Sequence, residues 1–405
     1  MKSTSFIELN KLALINNIDF LKSVTGPGTI ISSVVKSNAY GHGISYFVPL
    51  VEDCGISHFS VFSSGEARQV LKACRNKCTV VIMGYINPED MDWVLENRVE
   101  FYVYNPQRLR ELVESTGKAR ARIHIELETG LHRTGFERSE LPEVIQIIKN
   151  YPEKVEVAGT CTHLAGAEVV SNYYRILNQI RIFNELAGIL EAGGVNVGLR
   201  HMACSAAIFN YPETIMDMVR VGIAQYGFWS SRETRIRYLQ RGSEDGITKT
   251  PDPLRRVLSW KSKVMDIKEI SEGDYISYGY GFLATRPMVI ASVPVGYAHG
   301  YARQISNAGH VLIQSCRAGV VGIINMNMML VDITDIPGVK VGDEVVLIGE
   351  QGEAEISVAS FSDMVNNLNY ETLVRLPSEI RRNITETTLK PRRDEESMPH
   401  TEIKR

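Results

Sequence analysis

The sequence predicts a (β/α)8 barrel followed by a smaller, mostly β domain. Three observations carry that reading. Short β-branched runs alternate with amphipathic segments up to about residue 228, the texture changes near residue 257, and reactive side chains gather where the predicted strands end. The strand candidates of the first part are Ile30–Val35, His58–Phe62, Thr79–Met83, Glu100–Val103, Ala121–Glu128, Val155–Thr162, Leu199–Ala203 and Met216–Val221. Between them lie helical patterns at Leu12–Thr25, Gly65–Lys72, Pro88–Glu96, Gln107–Ser115, Leu141–Asn150 and Val170–Ala192. Eight strands so interrupted fit a barrel over residues 11–228. A doubly wound sheet would give a similar count, and periodicity alone does not separate the two.

Beyond residue 257 the candidates Lys261–Ile267, Met288–Pro294, Val311–Ile313, Ala318–Gly322, Met328–Ile333 and Glu344–Ile348 are short. Gly-Asp and Pro-Gly turns punctuate them, so 257–384 reads as a β domain. Phe6–Leu9, placed ahead of the first helix, is expected to join it. Residues 229–256 are polar and rich in Arg, Gly and Pro, and are expected to form a surface linker or insertion. Residues 385–405 are almost wholly polar, the composition of a disordered tail.

The bulk properties exclude several classes. A formal net charge of -3 gives no basic excess for nucleic acid, and no apolar run is long enough to span a membrane. The first residues lack the apolar core of a secretory leader. Six cysteines are scattered, and only Cys74 and Cys78 are close together, without the histidines or second pair of a zinc site. Free thiols and a cytoplasmic location are expected.

The chemistry starts at Lys36. The run Ile30-Ile31-Ser32-Ser33-Val34-Val35 delivers a lysine to a loop of Ser37-Asn38-Ala39-Tyr40-Gly41-His42-Gly43. Burial at a strand end disfavours the ammonium and leaves an amine able to hold an aldehyde as a Schiff base. Other polar residues fall at later strand ends: Glu126 and Arg133 around the fifth, His163 after the sixth, Cys204 and Ser205 after the seventh, and Arg220 at the eighth. In a barrel these positions converge on the C-terminal face.

The decapeptide Val34-Val35-Lys36-Ser37-Asn38-Ala39-Tyr40-Gly41-His42-Gly43 resembles the pyridoxal-phosphate lysine motif of the alanine racemase family. The resemblance covers roughly residues 6–384. It is carried further by Glu128-Thr129-Gly130-Leu131-His132-Arg133-Thr134-Gly135, Cys161-Thr162-His163, His201-Met202-Ala203-Cys204-Ser205-Ala206 and Arg220-Val221-Gly222-Ile223. Ile276-Ser277-Tyr278-Gly279, Pro294-Val295-Gly296-Tyr297 and Asn369-Tyr370-Glu371 follow in the family's order.

That resemblance implies an isomerase that interconverts L- and D-amino acids, most simply alanine, with pyridoxal 5'-phosphate as cofactor. It implies Lys36 as the base on one face of the substrate and Tyr278 as the acid on the other. Tyr278 would enter from the second subunit of a homodimer. Cofactor-binding positions are Lys36, Tyr40, His163, Cys204, Ser205, Arg220, Gly222, Ile223 and Tyr370. Substrate-facing positions are Arg133, Tyr297, Met326 and Asn327. An arginine holds its proton at working pH, so Arg220 could only donate a hydrogen bond to a neutral ring nitrogen, which favours racemisation over transamination.

Four positions depart from the family pattern. Glu126 stands where many members carry a carbamylated lysine, and it supplies the negative charge directly; it is expected to hold Arg133 by a charge-assisted hydrogen bond. Asn327 replaces an aspartate, Cys204 an asparagine and His299 an aspartate. A reshaped pocket is thus expected, and a racemase of serine or of a broader set of amino acids stays open. A decarboxylase of basic amino acids shares the layout, but its Gly-rich phosphate loop and late Cys-Asp motif are missing. A non-enzymatic carrier of the cofactor would lack the β domain.

Overall fold

The computed structural model describes residues 4–115, 119–240, 251–359 and 369–389. After β1 (Phe6–Asn10) the chain turns into helix Lys11–Thr25, where Asn10 caps the start by accepting from the amides of Leu12 and Ala13. Ala13, Leu14, Ile18 and Leu21 bury one face of that helix. Eight parallel strands follow: β2 (Ile30–Val34), β3 (His58–Val61), β4 (Thr79–Ile82), β5 (Glu100–Val103), β6 (Ala121–Glu126), β7 (Val155–Cys161), β8 (Leu199–His201) and β9 (Met218–Val221). Their order is β8-β7-β6-β5-β4-β3-β2-β9. The two ends meet just beyond β8, where Cys204 bridges to Arg220 in parallel and the Arg220 amide donates to Ala203 O at 2.9 Å. A doubly wound sheet would stay open, so the barrel expectation holds.

The β domain contains β10 (Leu258–Lys263), β11 (Asp266–Ile270), β12 (Met288–Val293), β13 (His310–Ile313), β14 (Cys316–Gly319), β15 (Met329–Asp332), β16 (Glu344–Gln351), β17 (Ala354–Ile356) and β18 (Arg381–Thr385). One sheet runs β14-β13-β16-β10-β1-β18 and a second runs β11-β12-β15. β1 lies antiparallel to β10 and parallel to β18, so the first strand does belong to this domain.

Several expectations need correction. Lys261–Ile267 is not one strand. The chain leaves the large sheet at Val264, whose amide donates to Asp343 O, and joins the small one at Met265, whose amide donates to Ser292 O. Residues 229–256 are no plain surface linker. Arg232–Gln240 is a helix, Leu254 is fully buried, and buried Asp252 accepts from Trp229 Nε1 and Arg235 Nε. Buried Asn17 clasps the returning chain through Arg255 O and the Arg255 amide. Residues 241–250 of that stretch lie outside the described ones. The tail also starts later than 385: β18 ends at Thr385, Asn10 donates to Thr387 O, and Leu389 packs on the core. The expected disordered residues from 390 onward lie outside the description.

Cys74 and Cys78 are joined as a disulfide rather than standing as free thiols. Cys74 closes helix Ser64–Ala73, and Glu52 accepts the amides of Arg75 and Asn76, folding the short loop back so that the two Cα atoms lie 6.7 Å apart. Cys54, Cys161, Cys204 and Cys316 are free.

Candidate active site

β2 ends at Val34, whose carbonyl accepts from Gln225 Nε2 (3.1 Å) and Tyr226 Oη (2.9 Å). That clamp fixes where Lys36 emerges. Ser37, Asn38, Ala39 and Tyr40 then take φ values of 52°, 54°, 53° and 49°, a complete left-handed turn of non-glycine residues. Such backbone costs about 1–2 kcal/mol per residue. Specific bonds offset the cost. Glu66, at the start of helix Ser64–Ala73, accepts from the Ser37 amide (2.6 Å) and from the Phe62 amide (2.8 Å), and Asn38 Oδ1 accepts from the Ile44 amide.

Lys36 sits half-buried among charges. Burial pulls its amine below the usual lysine range, the guanidinium groups of Arg133 and Arg220 act in the same direction, and Glu66 opposes them. The neutral amine needed for nucleophilic or base chemistry is thereby favoured. His163 joins the same cluster: burial lowers it to about 3, with Arg220, Arg133 and Lys36 contributing, so it is a neutral ring.

Arg220 is 5% exposed and heavily bonded. Nη1 donates to His201 Nδ1 (2.5 Å) and His201 O (3.0 Å), while Nη2 donates to Thr162 O (2.7 Å) and Met202 O (3.2 Å). These four bonds use both nitrogens' protons and leave Nε–H as the donor not engaged among the described residues. Although burial works against the charge, Tyr102, Cys161, Cys204 and Glu126 outweigh it and hold the guanidinium protonated.

A cradle lies beside it. Ser205 Oγ accepts from the Gly222 amide (3.0 Å) and the Ala224 amide (3.4 Å), and a methyl group on Gly222 would approach Tyr40 Oη to 2.8 Å. Tyr370 packs against Tyr40 with ring centroids 6.0 Å apart and the rings tilted at 49°. It gets there because Gly41, at φ 79°, lets Leu373 of helix Asn369–Val374 pack where any side chain would collide. Cys204 acts electrostatically on both Tyr40 and Tyr370, and Ile223 follows Gly222 in a buried turn. Hydroxyls and a backbone amide converging on a glycine suit an anion, and the amine of Lys36 suits an aldehyde. An arginine donor suits a ring nitrogen. The residues present therefore fit pyridoxal phosphate.

The expected Glu126–Arg133 bond is not formed. Glu126 is 4% exposed and accepts from Thr134 Oγ1 (2.8 Å), while Arg133 is exposed and acts on Glu126 only through its field. The physical reason is local: Thr134 is nearer to the carboxylate along the returning loop, where Phe136 pairs back to Glu126 and Glu128. Burial pushes the Glu126 carboxyl upward.

The remaining predicted positions sit on the β domain. Tyr278 is 72% exposed, Met326 57% and Tyr297 44%, and Asn327 is exposed as well. Three loops are tied into one edge: Ser277 Oγ donates to Ile323 O, and the amides of Tyr297 and Ala298 donate to Asn325 O and Met326 O. The groups that act on Lys36 within the chain are Arg133, Glu66 and Arg220; Tyr278 is not among them. Glu66 escaped the sequence reading, although Ser63-x-x-Glu66 is a helix-start signal that could have been read.

Fold and site define a class: a barrel-plus-β-domain enzyme that binds a phosphorylated aldehyde cofactor at the barrel mouth. Residues 9–229 match the family model described as alanine racemase, N-terminal domain, and residues 257–384 match that described as alanine racemase, C-terminal domain. The chain belongs to the alanine racemase family. It is 34% identical over 385 residues to the alanine racemase of Leptospira interrogans, covering 94% of this chain and 96% of that protein. For the alanine racemase of Methanococcus maripaludis the identity is 33% over 380 residues, covering 93% and 97%. Among solved structures, alanine racemase from Bacillus anthracis with bound L-Ala-P superposes with a TM-score of 0.86 at 28% identity, covering 95% and 96%. Alanine racemase from Bartonella henselae with covalently bound pyridoxal phosphate gives 0.77 at 25% identity, covering 95% and 100%.

Proposed function

We propose that this chain interconverts L- and D-alanine with pyridoxal 5'-phosphate, using one acid–base group on each face of the substrate α-carbon. The observation that carries it is the convergence of Lys36, Arg220 and His163 on the Ser205–Gly222 cradle. Pyridoxal phosphate, when bound, draws electrons from the substrate and makes its α-proton removable. Lys36, with its depressed amine, takes or returns that proton on one face. Arg220, with both Nη groups engaged, would offer its Nε–H to the ring nitrogen. Tyr40, Ser205, Tyr370 and the Gly222 and Ile223 amides hold phosphate, with Cys204 lining the same cradle, and His163 packs against the ring.

The opposite face is assigned to Tyr278 of the partner subunit, with Arg133, Tyr297, Met326 and Asn327 around the substrate. Support comes from exposure: Tyr278 and Met326 stand out on loops that Ser277 Oγ ties together, and exposed Tyr275 (53%) and Tyr280 (87%) pack 4.9 Å apart beside Tyr278, the kind of exposed apolar side chains that mark an interaction face. A homodimer with shared sites follows. The domain division 11–228 and 257–384 is proposed alongside, supported by the closed barrel and the separate sheets. Cytoplasmic placement is also proposed: four of the six cysteines are free, which favours a reducing compartment, while the Cys74–Cys78 disulfide weighs the other way; recovery of the enzyme outside the cytoplasm would overturn it. Among the described residues no helix is long and apolar enough to cross a membrane.

The replacements Asn327 and Cys204 favour testing a second reading, a broader substrate range. Single L-amino acids incubated with the protein and resolved by chiral chromatography decide it. Alanine is expected to give D-product fastest. A faster serine or larger amino acid would keep the chemistry and change the substrate, while no D-product from any would overturn racemisation.

A further inference from the structure

Arg220 is the mouth of a buried chain that runs into the barrel. Its Nη1 can only donate, so His201 Nδ1, 2.5 Å away, accepts and carries no proton. The His201 proton is then on Nε2, which lies 2.8 Å from His124 Nδ1. That nitrogen accepts in turn, placing the His124 proton on Nε2, 2.8 Å from Glu100 Oε2. A carboxylate can only accept. Its other oxygen receives Arg122 Nη1 at 2.7 Å. With a donor fixed at one end and an acceptor at the other, only one arrangement of protons satisfies two neutral imidazoles.

The barrel is built to allow this. His124 and His201 are fully buried and Glu100 is 2% exposed. The β6–β7 register shifts between Ile123 and His124, and a side chain on Gly159 would collide with the His124 ring. From β3, His58 faces Glu100, His124 and Arg122 and has no hydrogen-bond partner among the described residues. Tyr102 packs 5.9 Å and 6.1 Å from the two bonded imidazoles. An isolated carboxylate so deep would be costly; here Arg122 and His124 satisfy it.

We propose that Glu100 is a positioning residue for racemisation, acting through His124 and His201 to hold Arg220 in the orientation that points Nε–H at the cofactor ring nitrogen. The proposal rests on the reading of Arg220 given above. Glu100 touches neither cofactor nor substrate. Its role is to fix which nitrogen of each imidazole bears the proton, and so to leave Nδ1 of His201 a permanent acceptor.

The test uses the full-length, cofactor-loaded protein and its Glu100→Gln variant, labelled with 15N-histidine. Imidazole nitrogen shifts should show His201 and His124 protonated at Nε2 alone in the parent. In Glu100→Gln the His124 tautomer should become mixed, because one amide face can only donate. Loss of the orienting carboxylate should lower kcat for racemisation about tenfold, with KM for alanine moving less than about twofold. The ratio of pyruvate to D-alanine should rise by about tenfold. Pyruvate reports turnovers in which alanine leaves its amino group on the cofactor and departs as the keto acid.

Glu100→Asp, which keeps the charge, should recover much of the parent ratio. Should Glu100→Gln fail to fold, Gly159→Ala displaces His124 with every titratable group retained and should raise the same ratio. An Nδ1 proton on either histidine of the parent overturns the proposal. So does a ratio indifferent to these substitutions in an active racemase. A parent protein that binds cofactor yet forms no D-product from any amino acid instead sinks the racemase reading itself.

Discussion

The barrel mouth and the exposed edge of the β domain carry the two halves of one proposed reaction, and they are built in opposite ways. At the mouth, Arg220, Ser205 and Tyr40 are 5%, 5% and 8% exposed, and each is held by named bonds or ring contacts. At the edge, Tyr278 and Met326 are 72% and 57% exposed, and the bonds beneath them run to backbone carbonyls, from the amides of Tyr297 and Ala298 and from Ser277 Oγ. One half is pre-organised by its own chain. The other is displayed. Electrostatic pre-organisation is effective where water is excluded, so the displayed half becomes useful only when something covers it.

The hardest way to break the comparison is to remove the centre of the mouth. Lys36→Ala should lower kcat/KM at least about 10^4-fold and abolish covalent retention of the cofactor on a desalting column. Full activity in that variant would end the assignment. Next comes Tyr278→Phe at the edge, expected to cost about 10^2–10^4-fold. Mixing the two dead variants sharpens the contrast. If each site draws on both subunits, half the population becomes heterodimer with one intact site, and about a quarter of parental activity should return. No recovery after demonstrated subunit exchange would place both groups in a single chain.

Acid should expose the buried barrel through stability. Burial lowers His42 to about 3, His58 to about 4 and His163 to about 3. Above the unfolded value near 6.5 these rings are neutral folded and unfolded alike. As pH falls below it, the unfolded chain binds protons that the folded chain refuses, so stability falls. Each histidine contributes up to about 1.4 kcal/mol per pH unit. Urea unfolding at pH 7 and pH 5 should show the midpoint moving lower; an unchanged midpoint would contradict the buried neutral rings. The smallest expected effect is Glu126→Gln, which should cost about tenfold in kcat while added bicarbonate changes nothing. Parental kinetics would show that the Glu126 charge is unused.

Much of this was legible in the residues because parallel barrel strands are apolar on both faces and announce themselves as runs. Lys36, His163, Ser205 and Arg220 could be found since each falls where such a run stops. Helix Ile44–Asp53 went unnamed: Ile44, Phe47, Val48 and Val51 form its buried stripe, but Pro49 inside and the apolar Tyr46 and Leu50 beside it blur the 3.6-residue pattern. The buried chain from Glu100 to His201 depends on a register shift that no strand pattern encodes. The Glu126–Arg133 bond is expected from the charge that a carbamylated lysine carries at that position in the family, whereas the loop brings Thr134 to the carboxylate instead.

The left-handed turn after Lys36 has a consequence for how this chain can vary. A stretch whose backbone is the mirror image of an ordinary helix penalises β-branched side chains most and glycine, asparagine and aspartate least. A library randomised at Ser37, Asn38 and Ala39 and selected for growth on the enzyme's product should therefore return a narrow, small-residue alphabet. Glu66, which braces the turn from another helix, should drift only together with it. Handedness at three positions would thus be recorded in the survivors as a vocabulary.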